Sequence, residues 1–383
     1  MKLCEISEFV VDKINSSKLA LTDYVTTDSL LQNKRGRECA QNLPPVPCTL
    51  TSFKKGDVLV ANIRPYLKKV WLADKDGGCS SDVLAFRATN GHSSLFLYAV
   101  LMQDAFFDYV MQGAKGSKMP RGDKSQIMRY ELPTFSSLEE KNIGNFVFDI
   151  VRKIQLNCQI NDNLEAMAKQ LYDYWFVQFD FPNEEGKPYK SSGGAMVWNE
   201  KLKREIPQGW STLPISAILD KYSTTKRYET KEYLSQGKYP IIDQGDTYIV
   251  GYTNEDDNLL TRHPAVLFGD HSTKVKFLDF DFARGADGTQ ILYSSNDAVS
   301  QYYLYLAVST LQIPNPGYSR HFKYLKELPI VIPSLSIAIK FANIVKPLFK
   351  KWTNNIFNNI ALTKQRDELL PLLMNGQASV NSD

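Results

Sequence analysis

The chain has 383 residues, 43% of them hydrophobic and 23% charged, which is typical of a folded globular protein of about two to three domains. Aromatic residues make up 12% of the chain, which excludes disorder along its whole length. A net charge of +3 neither requires nor excludes a nucleic-acid partner, so local clusters of basic residues have to decide.

Membrane insertion, secretion and disulfide bonding are not indicated. The longest apolar run, Leu95 to Met102, has eight residues, whereas a membrane span needs about twenty. Acidic residues interrupt the N-terminus at once, so we expect no signal peptide. The five cysteines are an odd, scattered set without a Cys-x-x-Cys pair, so we expect reduced thiols in a cytoplasmic protein.

Residues 1–137 are predicted to form a first globular domain. The stretch from Lys55 to Ile63 has the pattern of a buried strand that opens at a Gly-Asp turn. Two basic stretches follow, one of them rich in glycine, which lets the backbone approach a ligand closely. Their candidate contacts to phosphates and bases of nucleic acid are Arg64, Lys68, Lys69, Lys115, Lys118, Arg121 and Lys124.

Residues 138–180 are predicted to form a long helix with one coiled-coil stripe. Its seam positions are separated by alternating steps of four and three residues, so they share one face. These positions are Ile143, Val147, Ile150, Ile154, Asn157, Asn161, Leu164, Ala168, Leu171 and Trp175. A helix with a single stripe needs a partner, because its apolar face is otherwise exposed.

The chain then repeats this plan. Residues 181–205 are rich in Gly, Pro, Ser and Lys and indicate a surface linker. Residues 206–334 are predicted to form a second globular domain, with a buried strand that starts at Pro264. Its candidate nucleic-acid contacts are His271, Lys274, Lys276, Tyr318, Arg320, His321 and Lys323.

A second long helix is predicted over residues 335–376, before a polar tail at 377–383. Its seam matches the first at an offset of 198 residues. The matched positions are Phe341, Val345, Leu348, Trp352, Asn355, Asn359, Leu362, Arg366, Leu369 and Leu373. Since both asparagines recur at the same steps, the two halves are a duplication. Pro347 lies inside this seam and is expected to kink or restart the helix near Lys346.

The four seam asparagines predict the orientation of the helices. If the helices are antiparallel with aligned midpoints, Asn157 faces Asn359 and Asn161 faces Asn355. A parallel pair would instead place Asn157 against Asn355. We predict a polar layer of these four side chains at a pseudo-twofold axis, which would set register and orientation.

Motifs of catalysis are weak. The four histidines have no metal-ligand spacing, and no nucleophile elbow, P-loop or dinucleotide fingerprint is present. The run from Asn315 to Tyr318 resembles the Asn-Pro-Pro-Tyr motif of amino-methyltransferases but lacks its second proline. Asp180 with Glu185 and Lys187 resembles a nuclease cluster but falls in the expected linker. We therefore predict neither an enzyme nor a metal site.

Several segments together resemble the specificity subunit of type I restriction-modification systems, over nearly the whole chain. The run from Leu164 to Pro182 is similar to the central conserved region of that family, and Gln365 to Gly376 to the end of its second conserved helix. Ile206-Pro-Gln-Gly-Trp210 resembles the opening of its second recognition domain. Segments similar to recognition domains are Asn62 to Lys69, Gly269 to Lys274 and Gly285 to Gly288.

The resemblance implies an α+β protein with two target-recognition domains, joined by two long antiparallel coiled-coil helices in a pseudo-twofold repeat. It implies binding of double-stranded DNA at a bipartite, asymmetric site. It also implies two methyltransferase subunits and restriction subunits as partners. S-adenosylmethionine would be bound by the methyltransferase, for adenine N6 methylation, and this chain would carry no cofactor. A heptad added to both helices should then lengthen the spacer and leave both half-sites unchanged.

Two other classes of function stay open on the residues alone. A methyltransferase or nuclease acting by itself would bind or turn over S-adenosylmethionine or cleave DNA. A protein-only coiled-coil scaffold would have no use for basic loops in both halves. In that case, charge reversal at Lys118 and Arg121 would leave DNA affinity unchanged.

Overall fold

A computed structural model describes residues 1–220, 225–285, 288–313 and 320–380 of the chain. The chain folds into two compact units. Unit 1 consists of Met1–Asn157 together with the chain from Phe357 onward, and unit 2 consists of Cys158–Ile356. Each unit therefore joins a globular domain to a part of both long helices.

Unit 1 begins with strands that form two small sheets. Its strands are β1 (Ser7–Phe9), β2 (Lys13–Asn15), β3 (Tyr24–Val25), β4 (Thr49–Phe53), β5 (Val58–Ala61), β6 (Val70–Leu72), β7 (Gly77–Cys79) and β8 (Val83–Ala88). Its helices are α1 (Leu3–Ile6), α2 (Ser94–Leu101), α3 (Asp104–Gln112), α4 (Lys124–Ile127) and the first part of α5 (Ser137–Tyr172).

The predicted strand after Lys55 is β5, at the centre of the first sheet. That sheet has the order β1-β8-β5-β6, with antiparallel pairing throughout, and the second has the order β2-β4-β7-β3. All residues of β5 are buried, because α2 covers one face of the sheet and a cluster around Trp71 covers the other. The core of unit 1 continues into the long helices through Ile143, Val147 and Leu373.

Unit 2 has a larger set of short strands. They are β9 (Met196–Asn199), β10 (Arg204–Pro207), β11 (Ser211–Pro214), β12 (Arg227–Tyr228), β13 (Tyr239–Ile242), β14 (Gly251–Thr253), β15 (Leu259–Leu260), β16 (Ala265–Gly269), β17 (Val275–Leu278), β18 (Phe282–Gly285), β19 (Thr289–Leu292) and β20 (Pro329–Ile332). Its helices are α6 (Gln301–Thr310), α7 (Phe322–Glu327) and the first part of α8 (Leu335–Met374).

The strand predicted after Pro264 is β16, and it is buried along its whole length. It lies between β17 and β19 in an antiparallel sheet. A second sheet has the order β12-β18-β13-β14, with β15 added on β18. Helix α6 packs against β16 and β17, and an aromatic core around Phe176, Tyr303 and Phe341 joins this domain to the long helices.

The long helices are antiparallel within each unit, as the seams predict. In unit 1, Ile143 shares a core cluster with Leu373. In unit 2, the ring centroids of Trp175 and Phe341 are 5.7 Å apart. Helix α5 has 36 residues and α8 has 40, so both are close to the predicted length. A five-residue π-turn at Asp173–Val177 ends the first of them.

The asparagines of the seam pair in the antiparallel register. In unit 1, Asn157 Nδ2 donates a 2.8 Å hydrogen bond to Asn359 Oδ1. In unit 2, Asn355 Nδ2 donates a 2.8 Å hydrogen bond to Asn161 Oδ1. The parallel alternative, Asn157 against Asn355, is therefore not the arrangement in either unit.

Two expectations about the helices and their connection differ from the structure. Helix α8 does not restart at Lys346 but runs on through Pro347, since the packing of its apolar face outweighs one lost backbone donor. Residues 181–205 are not a loose linker, because β9 and β10 form a hairpin there. Phe181 stacks between the rings of Tyr189 and Trp210 at centroid distances of 4.6 and 4.7 Å, which anchors the segment.

Within the described residues, no single helix is both long and apolar enough to cross a membrane. A bent pair, Ser94–Leu101 with Asp104–Gln112, meets the length and composition of a span. Both of its members contribute to the buried core of unit 1.

Candidate nucleic-acid interface

The two basic stretches of unit 1 are joined by backbone hydrogen bonds. We call them loop 62–69 and loop 112–125. Arg64 N donates to Pro120 O at 2.8 Å, and Gly122 N donates to Asn62 O at 3.1 Å. Lys115 and Arg121 exchange two backbone hydrogen bonds of 2.9 Å, which close loop 112–125 into a narrow hairpin. Residues 56 and 60 positions apart in sequence thus form one surface.

The cations of this surface differ in how far they are available to a ligand. Arg64, Lys115, Lys118 and Arg121 are exposed. Arg121 lies 3.0 Å from Asp82, and Lys115 lies 3.5 Å from Asp123, both in solvent-exposed pairs that are easily exchanged for phosphate. No ion pair holds Lys118 to any other residue that the structure describes. These four residues are therefore the strongest candidates for contacts with an anionic partner.

The remaining cations predicted in unit 1 are less free. Lys69 is half-buried, and its ammonium donates to the carbonyl of Thr27. Burial lowers the pKa of Lys69, and the bond to Thr27 occupies one of its three donors, so it is a weaker candidate for a phosphate contact. Lys68 pairs with Asp104 at 3.0 Å, while Lys124 stays exposed at the start of α4.

Unit 2 contains an equivalent junction after β16. His321 N donates to Asp270 O at 2.9 Å, and Phe322 N donates to Asp270 Oδ1 at 2.8 Å. The turn at residues 269–276 is thereby fixed to the start of α7. In unit 1, Gly122 N makes the corresponding bond to Asn62 O just before α4, so both units join the loop after a buried strand to the segment before a short helix.

The exposed cations and the exposed histidine of this second surface are His271, Lys274, Arg320 and Lys323. Lys274 forms a 2.9 Å ion pair with Asp246, a residue that is itself highly exposed. Tyr318 lies outside the described residues, as does the run that resembles a methyltransferase motif.

Two residues predicted to contact DNA are buried. Lys276 is 7% exposed, and its ammonium donates to Thr247 O at 2.7 Å. Burial lowers its pKa to about 8. His321 is 5% exposed, and its Nδ1 lies 3.0 Å from the carbonyl oxygen of Asp270. Their positions assign both residues to the support of the loops rather than to the ligand-facing surface.

Gln244 and Gly288 shape this turn, and neither belongs to the basic stretches that the sequence indicates. Gln244 Oε1 accepts hydrogen bonds from the backbone N–H groups of His271 and Ser272, at 3.0 and 3.4 Å. Gly288 has a φ of +81°, and a Cβ there would lie 2.6 Å from Gln244 and 2.7 Å from His271. The sequence contains two signals of a tightly packed loop here: the pair Gln244-Gly245, and Gly288 near the basic turn.

In the described part of the chain, no group of three or more His, Cys, Asp or Glu side chains is arranged so that it could hold a metal ion. His263 lies 3.3 Å from Asp279 and 3.6 Å from Asp281, so two carboxylates share this ring.

The chain is similar to known proteins of one kind. The family model of the type I restriction modification DNA specificity domain matches residues 207–362. The specificity subunit of the type I restriction enzyme MjaIX from Methanocaldococcus jannaschii is 25% identical over 358 residues, which cover 87% of this chain and 80% of that protein. The specificity subunit of EcoR124I/EcoR124II from Escherichia coli is 31% identical over 121 residues, 30% of this chain and 29% of that protein.

A solved structure has the same fold. The crystal structure of the S subunit of a type I restriction-modification system from M. genitalium matches with a TM-score of 0.61. The match covers 98% of this chain and 95% of that chain, at 17% sequence identity. At this identity the similarity concerns the fold.

Proposed function

We propose that this chain binds double-stranded DNA at a bipartite site and directs methyltransferase and restriction subunits to that site. The reason is that it belongs to the specificity subunits of type I restriction-modification systems. The globular domain of each unit would read one half-site. The two half-sites would differ, because the exposed residues of the two surfaces differ.

One observation carries the proposal: the same junction occurs in both units. In each, the loop after a buried strand is bonded to the segment before a short helix, through Asn62 O in unit 1 and Asp270 O in unit 2. In each, exposed cations surround the junction. Cations neutralise phosphates, and a fixed backbone aims neighbouring side chains at base edges. A scaffold that binds only proteins would not need this arrangement twice.

We further propose that this chain contributes recognition and that its partner contributes the chemistry. The partner methyltransferase would bind S-adenosylmethionine and transfer the methyl group to adenine N6. The relatives are specificity subunits by name, and this supports a non-catalytic role. Purified chain alone is then expected neither to bind nor to consume S-adenosylmethionine.

Adenine-methylation mapping tests the proposal directly. Cells that express this chain with its candidate methyltransferase are compared with cells that lack this chain. We expect a split, asymmetric motif that disappears on deletion. An unchanged methylome, in cells where the complex is shown to assemble, would contradict the proposal and favour a scaffold.

A binding experiment tests the surface of unit 1. The double variant Lys118→Glu with Arg121→Glu reverses two exposed charges on loop 112–125. The control is Lys18→Glu with Lys55→Glu, which reverses two exposed charges of the same unit outside both basic loops. We expect the first variant of the assembled complex to lose DNA affinity by tenfold or more, on the order of 1.4 kcal/mol, and the control to retain it. Equal affinities of the two variants would exclude loop 112–125 from the interface.

A further inference from the structure

A basic turn at Gln32–Arg37 lies beside loop 62–69 of unit 1 and carries the cations Lys34, Arg35 and Arg37. Leu31 N donates to Gly36 O at 2.8 Å, and this bond closes a hairpin with Asn33 and Lys34 at its tip. The φ angles of Asn33 and Lys34 are +57° and +60°. Two consecutive positive φ angles are what a type I′ turn requires, a conformation that asparagine tolerates and lysine rarely adopts.

This turn is bonded to loop 62–69. Asn33 N donates to Leu67 O at 2.9 Å, and Lys34 N donates to Lys68 O at 2.8 Å. In loop 62–69, Arg64 and Lys68 also have positive φ angles, both +51°. The turn, loop 62–69 and loop 112–125 therefore form one continuous surface whose backbone is fixed by hydrogen bonds. Strained non-glycine residues of this kind concentrate at functional sites.

The side chain of Lys34 is buried beneath the turn and fixes it by ion pairs. Its ammonium lies 2.7 Å from Asp104 and 3.5 Å from Asp367, and the side chain is 6% exposed. Asp104 also pairs with Lys68 at 3.0 Å, so one carboxylate ties the turn to loop 62–69. Lys34 is thus a positioning residue that does not itself face solvent.

The side chain of Asn33 has the opposite environment. It is exposed, and its carboxamide makes no hydrogen bond with the part of the chain that the structure describes. Arg35, also exposed, lies two residues further on. A carboxamide presents one acceptor and one donor side by side, which match N6 and N7 of adenine in the major groove. Arg35 and Arg64 would hold the flanking phosphates.

We propose that the turn at Gln32–Arg37 is a base-reading element of unit 1, with Asn33 as the residue that determines specificity for an adenine in one half-site. The proposal rests on the proposed function and extends it to a single base. It requires no movement of the turn, because the backbone is already held in place.

The test uses Asn33→Gly in the full chain, assembled with its methyltransferase. Glycine adopts a positive φ without strain, so the turn is kept while the carboxamide is lost. The matched control is Asn90→Gly, another exposed asparagine of unit 1 with a φ of +54°. We expect Asn33→Gly to lower affinity for the cognate site by about 5- to 150-fold and to accept other bases at one position of one half-site. Affinity for unrelated DNA and the other half-site should not change, and Asn90→Gly should behave as wild type.

Two results would overturn the inference. If Asn33→Gly retains the wild-type motif and affinity, Asn33 reads no base. If it loses affinity equally on cognate and unrelated DNA, the turn contacts only the DNA backbone. Both results require that the wild-type complex recognises a defined DNA motif. A wild-type complex that recognises no motif would contradict the proposed function rather than this inference.

Lys34 provides a second, independent variant. Lys34→Met removes the ammonium that binds Asp104 and Asp367 and keeps an apolar stem. We expect Lys34→Met to relax specificity at the same base position as Asn33→Gly does. We expect Lys34→Arg to show wild-type specificity at that position. Relaxation at a different position, or uniform loss that Lys34→Arg does not restore, would contradict a positioning role.

Discussion

Asn355 donates its side-chain amide to Asn161 Oδ1 at 2.8 Å, and Asn161 donates in turn to the backbone carbonyl of Trp352 at 3.1 Å. In unit 1 the same order recurs, from Asn157 to Asn359 at 2.8 Å. From Asn359 it continues to the carbonyl of Ile154 at 3.3 Å. Each residue of one chain of bonds lies 198 positions from its counterpart in the other. The duplication therefore extends from the sequence to the direction of individual hydrogen bonds.

The two pairs differ in burial, and this predicts a graded loss of stability. Asn355 is fully buried and Asn161 is 8% exposed, whereas Asn157 and Asn359 are half-buried. Asn355→Ala leaves the Asn161 carbonyl without its donor inside the core. We expect the free energy of unfolding to fall by about 1–3 kcal/mol. Asn157→Ala should cost less, because water can replace the lost partner. Denaturant unfolding of the full chain measures both.

The double variant Asn161→Leu with Asn355→Leu separates stability from register. Removing both side chains leaves no orphaned asparagine carboxamide in the core, so we expect a smaller loss than for Asn355→Ala, or a gain. A loss for the double variant larger than that for Asn355→Ala would show that the hydrogen bond itself, rather than an orphaned group, dominates.

Salt dependence of DNA binding distinguishes exposed from supporting lysines. Lys118→Ala removes an exposed cation, so the slope of log affinity against log salt should become shallower by about 1. Lys69→Met removes a lysine that donates to Thr27 and should leave this slope unchanged. Fluorescence anisotropy of the assembled complex between about 50 and 200 mM salt gives both slopes. A change for Lys69→Met equal to that for Lys118→Ala would place Lys69 in the interface.

The pH dependence of stability reports on Lys276. Burial lowers the pKa of Lys276 from an ordinary value of 10.5 to about 8 in the folded chain. Between these values the unfolded chain binds more protons than the folded chain, so this residue makes stability rise with pH. The rise amounts to at most about 3 kcal/mol. Denaturant unfolding at pH 7 to 10 should show a steeper rise for wild type than for Lys276→Met. Parallel curves would mean that the ammonium is not desolvated.

Local sequence patterns predict the long helices and the central strands, but they do not predict which basic residues of the loops are buried. The seam of α5 and the apolar run of β5 are visible in short windows, since each follows a fixed periodicity. Lys276 and His321 look like any basic loop residue in such a window. Their burial depends on Thr247 and Asp270, which lie 29 and 51 positions away.

The structure of the connecting segment and of the Asn33 turn cannot be predicted from short sequence windows, for related reasons. Composition at residues 181–205 indicates a linker, yet Phe181 stacks on Tyr189 and also on Trp210, which lies 29 positions further along the chain, and these contacts hold the segment. The turn at Asn33 becomes significant only through its bonds to Leu67 and Lys68. No pattern of neighbouring residues encodes such a contact, so these features require tertiary structure.

Gly288 provides a test of recognition by unit 2 alone. In Gly288→Ala the new Cβ would lie 2.6 Å from Gln244 Nε2 and 2.7 Å from His271 Cδ2, so these two side chains have to shift. Because Gln244 Oε1 accepts hydrogen bonds from the backbone of His271 and Ser272, we expect this shift to disturb the turn at residues 269–276. The control is Gly193→Ala in the same unit. That glycine has a similar φ of +85° but no atom within 4 Å of the added Cβ, so it isolates backbone strain from collision.

In methylation mapping, we expect Gly288→Ala to alter or abolish one half-site and Gly193→Ala to alter neither. If both glycine variants change the motif alike, strain in unit 2 rather than displacement of the turn is responsible. If Gly288→Ala leaves the motif intact, the turn does not read DNA, and Arg320 and Lys323 remain the candidates of unit 2.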